Sequence, residues 1–444
     1  MTADNLAYQA AEPAEAVAGQ LDNIPAEVTR LAAGKPLRIC ILGYRSQPFG
    51  GGQGIYIKYL SKALVDAGHK VDVISGQPYP HVDERVNLIK LPGMNLYETG
   101  LGSLRPHHLT SYANIVEWMS KLTGGFAEPY AFGRRANAYL KKHGHQYDLI
   151  HDNQSLSTGM LHIQKRQPLV MTLHHPITSD LEIALNAANK WWERLLIRRW
   201  HSFLKMQSKV AKRLDNVITV SERSQQDIAK AFGIEQDGIH LIYNGIDTEE
   251  FCPREGITRK PNRLMATASA DQPLKGLRFL LLAYAKLLKE YPDLELLVVG
   301  KPKPGGATEK LLKELNIEDK VQFVTGISTE QMVDYYAEAT IAVVPSVYEG
   351  FGLPAGEAMA CEVPVVSTRG GALPEVVGDA GVLVPVEDAD AIAAAVKDLL
   401  DNPEKREALG KAGRERILQT FCWHVAARTL TQYYQQVIAK HADR

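Results

Sequence analysis

The stretch that most constrains the fold of this chain is residues 341–357, which read IAVVPSVYEGFGLPAGE. Four apolar residues predict a short buried strand, a glycine-containing turn follows it, and Pro354 suits the first turn of a helix. A strand, a glycine turn and a helix in that order are typical of an α/β fold with a parallel sheet. The start of such a helix offers unpaired N–H groups and a partial positive charge to an anion such as a phosphate.

Two carboxylates, Glu349 and Glu357, bracket this turn. A carboxylate repels a phosphate but accepts hydrogen bonds from hydroxyls, so the pair suits the diols of a sugar or a ribose. A phosphate together with two diols describes a nucleotide sugar. The alternative for Glu357 alone is a first-turn acid that compensates the helix dipole, and the residue type does not separate the two roles.

Length and composition indicate a globular protein of about two domains. The chain has 444 residues, of which 45% are hydrophobic and 23% charged, and its net charge of −1 gives no overall signal for nucleic acid. The four cysteines form no CxxC pair, so we expect reduced thiols in a cytoplasmic protein. We also expect neither a membrane-spanning helix nor a secretory signal, since the chain has no sufficiently long apolar run and its N-terminus lacks a basic region before an apolar core.

The first half of the chain opens like a Rossmann unit. Residues 1–36 are rich in Ala, Glu and Pro and predict a flexible extension. Residues 37–42 predict a buried strand, 48–54 a glycine turn and 56–64 a helix, which is the arrangement that cradles a phosphate. The glycine spacing is not GxGxxG, so a dinucleotide site is weakly supported, and a tight turn without a ligand is the alternative.

Two further predicted strands, 147–152 and 168–174, each end in polar residues. Ligands of open α/β sheets bind outside the carboxyl ends of the strands, so we expect His151, Asp152 and His174 to lie where a ligand binds. His174 and His175 are adjacent and point apart at a strand end, and no third ligand lies at metal-site spacing. We therefore predict no metal site and a hydrogen-bonding role for a histidine at the cleft. Residues 80–130 are harder to interpret and predict a loop-rich segment.

Residues 191–213 combine three tryptophans with seven basic side chains and one acid. Apolar residues at 192, 196, 200 and 203 predict one face of a helix. A basic helix that carries Trp can lie on an anionic membrane surface. The slightly favoured alternative is a packed helix with a solvated basic face. Binding to nucleic acid is not predicted, because no stacking platform or basic fold motif accompanies the segment.

The second half repeats the α/β alternation. A polar, Pro-containing stretch at 248–262 predicts a linker, and strands and helices alternate from residue 263. Lys275 lies in the first strand-to-helix loop, where a lysine can act as a point charge on a phosphate. Asp388 and Asp390 resemble the metal-binding DxD of some sugar transferases, but they open a predicted helix, so N-capping explains them.

The predicted organisation is therefore two Rossmann-like domains with a ligand crevice between them, the α/β architecture called GT-B. Its parts are an extension at 1–36, a first domain at 37–247, a linker at 248–262, a second domain at 263–422 and a final amphipathic helix at 423–444.

Five segments resemble the retaining glycosyltransferases of family 4, also called glycosyl transferases group 1. They are ITVSE at 218–222, IYNGID at 242–247, KG at 275–276, EGFGLPAGE at 349–357 and GGALPE at 370–375. They occur in the order and spacing of that family, and the resemblance extends over roughly residues 37–440. The segment with two glutamates is the most specific part.

The resemblance implies a role for each candidate site residue. It implies that Glu357 holds the ribose hydroxyls, that Lys275 neutralises the diphosphate and that Glu349 lies near the donor sugar. It implies His174 as the acceptor-side histidine. The backbone amides that would meet the donor sugar and phosphate are those of Phe351, Gly352 and Leu353, with Gly51 and Gly52 from the first domain. It also implies that the last helix crosses back to the first domain, and that the nucleotide sugar is a substrate with no further cofactor.

One departure from the family pattern concerns the phosphate charges. The family carries an arginine shortly before the lysine, whereas residues 267–275 read TASADQPLK. One cation that faces the phosphate is missing here or is replaced, with Arg45 or Lys301 as the candidates. Donor affinity or donor choice is affected first.

The sequence thus predicts a retaining, metal-independent hexosyltransferase. A UDP-sugar is the favoured donor and a GDP-sugar the alternative. A membrane lipid is modestly favoured as the acceptor, in glycolipid synthesis at the inner face of the membrane, and a polysaccharide or a small molecule remains open. The competing activities are a nucleotide-sugar epimerase of the same architecture and a non-catalytic sugar-nucleotide binder.

Overall fold

The computed structural model describes residues 35–47, 52–176, 181, 184, 185, 188, 190–268 and 271–443. The predicted extension at 1–36 lies outside these residues, apart from its last two positions. The part from Leu37 to Arg444 forms one compact unit. No helix in the described ranges is long and apolar enough to cross a bilayer.

The first half of this unit is built on a parallel sheet that shows seven strands in the described ranges, in the order β3-β2-β1-β4-β5-β6-β7. The strands are β1 (Arg38–Gly43), β2 (Lys70–Ser75), β3 (Asn87–Lys90), β4 (Leu149–Asn153), β5 (Leu169–Leu173), β6 (Val217–Thr219) and β7 (Ile239–Leu241). The helices described in this half are α1 (Gly52–Asp66), α2 (Leu96–Thr99), α3 (Tyr112–Leu122), α4 (Glu128–His143), α5 (Thr158–Ile163), α6 (Trp191–Trp200), α7 (Leu204–Ala211) and α8 (Glu222–Phe232).

The second half repeats the plan with a parallel sheet of six described strands, in the order β10-β9-β8-β11-β12-β13. The strands are β8 (Arg263–Thr267), β9 (Glu295–Val299), β10 (Val321–Val324), β11 (Ile341–Val344), β12 (Val365–Thr368) and β13 (Val382–Val384). Its helices are α9 (Leu277–Leu287), α10 (Ala307–Leu315), α11 (Thr329–Glu338), α12 (Leu353–Ala360), α13 (Leu373–Val377), α14 (Ala389–Asp401), α15 (Pro403–Thr420) and α16 (Trp423–Ala442).

Both sheets reverse their strand order next to their first strand. In the first sheet β1 pairs with β2 on one side and β4 on the other, so Gly43 at its end lies level with Ser75 and Asn153. In the second sheet β8 holds the same place between β9 and β11. Loops that leave adjacent strands at such a reversal diverge and open a crevice for a ligand. The predicted α/β fold with two Rossmann-like sheets is confirmed.

Three clusters of buried apolar side chains hold these layers together. One cluster packs against each sheet, around Leu42 and Met171 in the first and around Leu280 and Val298 in the second. The third cluster draws residues from both halves and runs without a break from Ile57 to Phe351 and Trp423. Buried apolar area contributes roughly 25 cal/mol per Å², so this shared cluster stabilises the packing of the two halves against each other.

The chain crosses between the two halves twice, and the crossings lie side by side. Ile246 at the first crossing and Cys422 at the second form a parallel bridge, with the Ile246 amide 2.7 Å from the Phe421 carbonyl. Beyond Cys422, α16 lies on the first half, where the Trp423 ring stacks on Tyr59 at a centroid distance of 6.3 Å. His69 Nε2 and Thr431 Oγ1 are 2.9 Å apart further along the same helix.

Two segments differ from their sequence interpretation. Residues 80–130 contain the edge strand β3 and the 11-residue helix α3 rather than loops alone. The strand was not predicted, because it is only partly buried and its NLIK sequence carries little apolar signal. Residues 191–213 form two helices, α6 and α7, separated by a 3₁₀ turn at His201–Phe203. The apolar periodicity is continuous across that turn, so it could not show the break.

Candidate active site

The loop that carries Lys275 lies against the turn after β11. The Val347 amide donates to the Leu274 carbonyl at 2.9 Å, which ties the two loops together. Gly276 has φ +62°, and a Cβ atom there would lie 1.9 Å from the Pro345 carbonyl oxygen. Only glycine permits this approach. In the KG pair the lysine therefore supplies the charge, and the glycine leaves room for the Pro345 carbonyl.

The second glycine loop presses on the same turn from the other side. A Cβ atom on Gly371, whose φ is +63°, would lie 2.1 Å from the Glu349 carbonyl oxygen. The Ala372 amide donates to that oxygen at 2.9 Å. Loops from β8, β11 and β12 therefore meet at Glu349 and fix its backbone from two sides.

Lys275 and Glu349 form an ion pair at the centre of these loops. The distance from Nζ to Oε1 is 2.7 Å, and the Glu349 side chain is 11% exposed. The Ser346 hydroxyl donates to the same oxygen at 2.9 Å. One carboxylate oxygen of Glu349 thus accepts two hydrogen bonds.

Glu357 lies in the second turn of α12, so the alternative of a first-turn acid that compensates the helix dipole was wrong. Its side chain is half-buried, and its surroundings favour a neutral carboxyl. Burial raises the pKa of Glu357 to about 8, with the negative charges of Glu250 and Glu349 acting in the same direction. The Tyr336 hydroxyl donates to Oε2 at 3.4 Å and opposes the shift. At neutral pH such a carboxyl carries a proton, and it can both donate to and accept from a diol.

The helix start between these two glutamates is the predicted anion site. Gly352 is the N-cap of α12, and Pro354 is in its first turn. The Phe351 side chain is buried against Phe421 at a centroid distance of 6.0 Å. The backbone of Phe351, Gly352 and Leu353, rather than the Phe351 side chain, is therefore what this turn can present to a ligand.

His174 follows β5 at the facing edge of the first sheet. Its ring meets the edge of the Tyr56 ring at a centroid distance of 4.6 Å and an angle of 81°. A Cβ atom on Gly350 would lie 3.7 Å from the His174 carbonyl oxygen, so the Glu349 turn and His174 face each other. Burial, helped by His175 and His151, lowers the pKa of His174 to about 3, so the ring is neutral at physiological pH.

Two glycines were predicted to meet the donor from the first domain. Gly51 lies outside the described residues. Gly52 is exposed at the start of α1, and a Cβ atom built on it would meet no atom of the described residues within 4 Å.

Two side chains, those of Glu375 and Ser221, join the two halves through hydrogen bonds that the sequence did not predict. Glu375 Oε2 and Oε1 accept hydrogen bonds from the Glu222 and Arg223 amides at 2.7 and 2.8 Å, so a side chain of the second half caps α8 in the first. The Ser221 hydroxyl, the N-cap of the same helix, donates to the Gly350 carbonyl at 2.7 Å. The ITVSE and GGALPE segments were noted as motifs, but sequence spacing alone cannot show that they touch.

The charges proposed to replace the family arginine are placed as follows. The Arg45 guanidinium pairs with Glu128 at 3.1 Å, and Lys301 is exposed beyond β9. Asp388 caps α14 through the Ala391 amide at 2.9 Å, which agrees with its interpretation as an N-cap. Within the described residues, no three His, Cys, Asp or Glu side chains converge as they would around a metal ion.

An exposed apolar surface lies on α3 and α6, and we call it the tryptophan surface. Its members are Met119, Leu122, Trp191, Leu195 and Leu196. Trp191 is 78% exposed and Leu195 58%. The two helices adjoin here, because Arg199 donates to Thr123 Oγ1 at 2.6 Å just beyond the end of α3.

Two family models match the chain, one in each half. The model described as glycosyltransferase family 4 matches residues 50–250, and the model described as glycosyl transferases group 1 matches residues 249–416. Together they extend from the glycine turn of the first sheet into α15.

Similar proteins match over almost the whole chain. An MMP α-(1→4)-mannosyltransferase from Mycolicibacterium hassiacum is 44% identical over 91% of this chain and 100% of the relative. A D-inositol 3-phosphate glycosyltransferase from Catenulispora acidiphila is 28% identical over 91% of this chain and 96% of its own. Among solved structures, a sucrose-phosphate synthase from Thermosynechococcus elongatus superposes with a TM-score of 0.68 at 26% identity, covering 91% of this chain and 100% of that one. The chain therefore belongs to glycosyltransferase family 4, and it is a glycosyltransferase with the GT-B fold.

Proposed function

We propose that this protein transfers a hexosyl group from a nucleoside-diphosphate sugar to a hydroxyl of a saccharide acceptor, with retention at the anomeric carbon. The observation that carries the proposal is the meeting of Lys275, Glu349 and the start of α12 at one edge of the second sheet, opposite His174. A mannosyl group is the first candidate for the sugar, because the relative with 44% identity is named as a mannosyltransferase. A UDP-sugar and a GDP-sugar are the two donors to compare.

The proposed chemistry follows the charges that develop. As the bond from the anomeric carbon to the diphosphate breaks, its electron pair moves to the diphosphate oxygen. Lys275 and the amides at the start of α12 stabilise that negative charge without a metal ion. The acceptor hydroxyl attacks from the same face and gives its proton to the departing oxygen. Glu357 holds the ribose hydroxyls, and Glu349 lies beside the sugar.

The main alternative mechanism is a double displacement, in which Glu349 attacks the anomeric carbon first. In the structure Oε1 of Glu349 accepts from both Lys275 and Ser346, which lowers its nucleophilicity and supports direct transfer. A glycosyl adduct trapped on Glu349 and located by mass spectrometry would overturn this choice.

A donor and acceptor screen tests the proposal. The wild-type protein is incubated with UDP-, GDP- and ADP-linked glucose and mannose, with manno-oligosaccharides or a cell lipid extract as acceptor, with and without EDTA. We expect nucleotide release that requires an acceptor, persists in EDTA and yields an α-linked product by NMR. Conversion of the donor into an epimer without acceptor would indicate an epimerase, and tight donor binding with neither transfer nor slow hydrolysis would indicate a non-catalytic binder. Either result would overturn the proposal.

A lipid acceptor is the second candidate, and the tryptophan surface favours it. Exposed Trp and Leu side chains on α6 can enter the interface of a bilayer while the exposed Arg198 of the same helix attracts anionic headgroups. On this proposal the protein acts in the cytoplasm as a peripheral protein at the inner face of the membrane, and the four free cysteines suit that compartment.

Liposome co-sedimentation tests this second candidate. We expect binding to vesicles with anionic lipid, weaker binding to neutral vesicles, and loss of binding in the double variant Trp191→Ser with Leu195→Ser. The matched control is Leu418→Ser, which removes a leucine that is 43% exposed on α15, away from this surface. Absence of binding to either kind of vesicle would contradict the membrane proposal and leave the soluble saccharide acceptor.

A further inference from the structure

Two adjacent residues at the end of β4 hold both the ring and the backbone of His174. Asn153 Oδ1 lies 2.7 Å from His174 Nε2. Gln154 Oε1 lies 2.7 Å from the His174 amide nitrogen, and its Nε2 lies 2.8 Å from the His175 carbonyl oxygen. The dipeptide thus makes two hydrogen bonds to His174 itself and a third to the next residue, His175.

The neighbours of Asn153 decide which way its amide faces. Its Nδ2 lies 3.2 Å from the Gln53 carbonyl oxygen, in the first turn of α1. A carbonyl oxygen only accepts, so the NH₂ group must face Gln53 and the amide oxygen must face His174. An amide oxygen only accepts as well, so the nitrogen of His174 that faces it must carry the proton.

The same reasoning fixes the amide of Gln154. The His174 amide is a donor and the His175 carbonyl is an acceptor, so the oxygen and nitrogen of Gln154 can satisfy both in only one orientation. Gln154 adopts φ +54°, a left-handed conformation that non-glycine residues enter infrequently. The two hydrogen bonds offset part of that cost, which indicates that this side chain is held where His174 needs it.

The ring of His174 is neutral, so its tautomer determines what it can do. The titratable groups next to it are His151, His175 and Tyr56, and burial together with the two histidines disfavours a second proton on the ring. With Nε2 protonated, Nδ1 is left with a lone pair. Among the described residues Nδ1 has no hydrogen-bond partner.

We propose that Asn153 and Gln154 are positioning residues that hold His174 as the neutral Nε2–H tautomer and leave Nδ1 as a hydrogen-bond acceptor for a sugar hydroxyl in the cleft. This inference rests on the proposed function, because it assigns a partner to the histidine of that site. It also links the start of α1 to His174, because the amide group of Asn153 contacts both Gln53 and the histidine ring.

Nitrogen NMR of the histidine rings tests the tautomer directly, without any substrate. The full-length protein is labelled with ¹⁵N-histidine, and the His174 signals are identified by their loss in His174→Gln. We expect a pyridine-like Nδ1 and a pyrrole-like Nε2 in the wild type. In Asn153→Leu we expect a mixture of tautomers. The control is Asn216→Leu, which removes a comparable hydrogen bond to the Leu169 carbonyl at 3.0 Å without touching His174.

Gln154 has its own readout in the same protein. In Gln154→Ala the His174 amide loses its acceptor, so we expect its hydrogen exchange to accelerate at least 10-fold, while amides in the middle of α9 exchange as in the wild type. An unchanged exchange rate of the His174 amide would remove Gln154 from the proposal.

Kinetics separate positioning from general folding. A ring displaced by about 1 Å can cost about 100-fold in rate, so in Asn153→Leu we expect kcat/KM to fall by that order while the circular dichroism spectrum stays unchanged. A protonated Nδ1 in the wild type, or an unaltered tautomer in Asn153→Leu, overturns the assignment whatever the activity. Its failure is therefore distinguishable from failure of the transferase proposal, which the donor and acceptor screen decides.

Discussion

Lys275 and Glu349 stand 74 positions apart in the chain, yet their Nζ and Oε1 atoms are 2.7 Å apart at the carboxyl edge of the second sheet. Two glycines, Gly276 and Gly371, make this approach possible by admitting carbonyl oxygens where a Cβ atom would lie. The lysine is therefore held beside the carboxylate that we propose to lie at the donor sugar. On the same proposal, a diphosphate at the start of α12 meets a cation that the fold already holds in place, which is what electrostatic preorganisation requires.

Removal of this cation should slow transfer far more than it harms folding. For Lys275→Ala we expect kcat to fall by about 10²–10³-fold, because one preorganised charge at the leaving group is lost. Initial rates of nucleotide release with the preferred donor measure the effect. Lys286→Ala is the matched control, since it also removes a lysine from an ion pair, with Asp390, at an exposed site. Full activity in Lys275→Ala would exclude a role for the lysine at the diphosphate.

Glu357 should give the protein a measurable pH dependence of stability. Its folded-state pKa of about 8 exceeds the ordinary 4.5, so the folded protein keeps a proton that the unfolded chain releases above pH 4.5. The contribution of the carboxyl to stability is complete below pH 4.5 and is lost as the pH rises to 8. Since Gln cannot ionise, we expect the Tm of Glu357→Gln to rise relative to that of the wild type between pH 5 and pH 8.

Thermal unfolding across that pH range is the measurement for Glu357. The exposed Glu404 on α15 gives the control variant Glu404→Gln, against which the change in Tm of Glu357→Gln is compared at each pH. A Tm difference between Glu357→Gln and the wild type that stays constant from pH 5 to pH 8 would contradict the raised pKa of Glu357. Donor affinity, measured by calorimetry at pH 7, should in addition fall sharply in Glu357→Ala, and unchanged affinity would refute its assignment to the ribose.

The repeated strand, glycine turn and helix made the two sheets predictable from the sequence. The buried strand β11 is apolar throughout, which is the pattern that a parallel sheet covered on both faces requires. The edge strand β3 was missed because it is short and none of its four residues is fully buried, so its sequence carries no continuous apolar run. The break between α6 and α7 was missed because a 3₁₀ turn leaves the spacing of apolar residues almost unchanged.

Candidate site residues could be selected from the sequence, but their contacts could not. Lys275, Glu349 and Glu357 each stand beside a glycine turn, and their charges together with the family resemblance selected them as candidates. The sequence could not show that Glu375 reaches α8, or that Asn153 faces His174, because those contacts depend on how loops from separate strands pack. The amide of Asn153 carries no charge and follows no motif, so nothing in its residue type singled it out.

Gly371 should tolerate no side chain. In Gly371→Ala the new Cβ would lie 2.1 Å from the Glu349 carbonyl oxygen, so the turn that carries Glu349 must move. We expect a stability loss of more than about 2 kcal/mol together with a loss of activity of at least 10-fold. Chemical denaturation and initial rates measure the two effects.

The control for Gly371 separates a steric clash from backbone strain. Gly305 has a similar φ of +69°, but a Cβ atom there would meet nothing within 4 Å. Gly305→Ala should therefore cost only about 1 kcal/mol, from the left-handed conformation alone, and should keep its activity. Equal losses of stability and activity in the two variants would mean that backbone strain, rather than the contact with Glu349, accounts for the effect of Gly371→Ala.

Glu375 should control how firmly the two halves stay closed. Its carboxylate caps α8 from the opposite half, and Ser221 and Ser224 of that helix donate to the Gly350 carbonyl at 2.7 and 3.0 Å. Gly350 adjoins Glu349, so the contacts between the two halves also act on the turn that we propose to lie at the sugar. In Glu375→Ala we expect a larger radius of gyration in solution scattering and faster hydrogen exchange of the first α8 amides.

Loss of a helix cap costs typically about 1 kcal/mol, so fold stability alone cannot identify the role of Glu375. Asp388→Ala supplies the comparison, because Asp388 caps α14 within its own half through the Ala391 amide. Both variants should lose similar stability, but only Glu375→Ala should open the cleft, and only it should raise the KM for the donor. If the two variants have the same radius of gyration and the same KM for the donor, the contact between Glu375 and α8 is a helix cap that does not affect closure of the cleft.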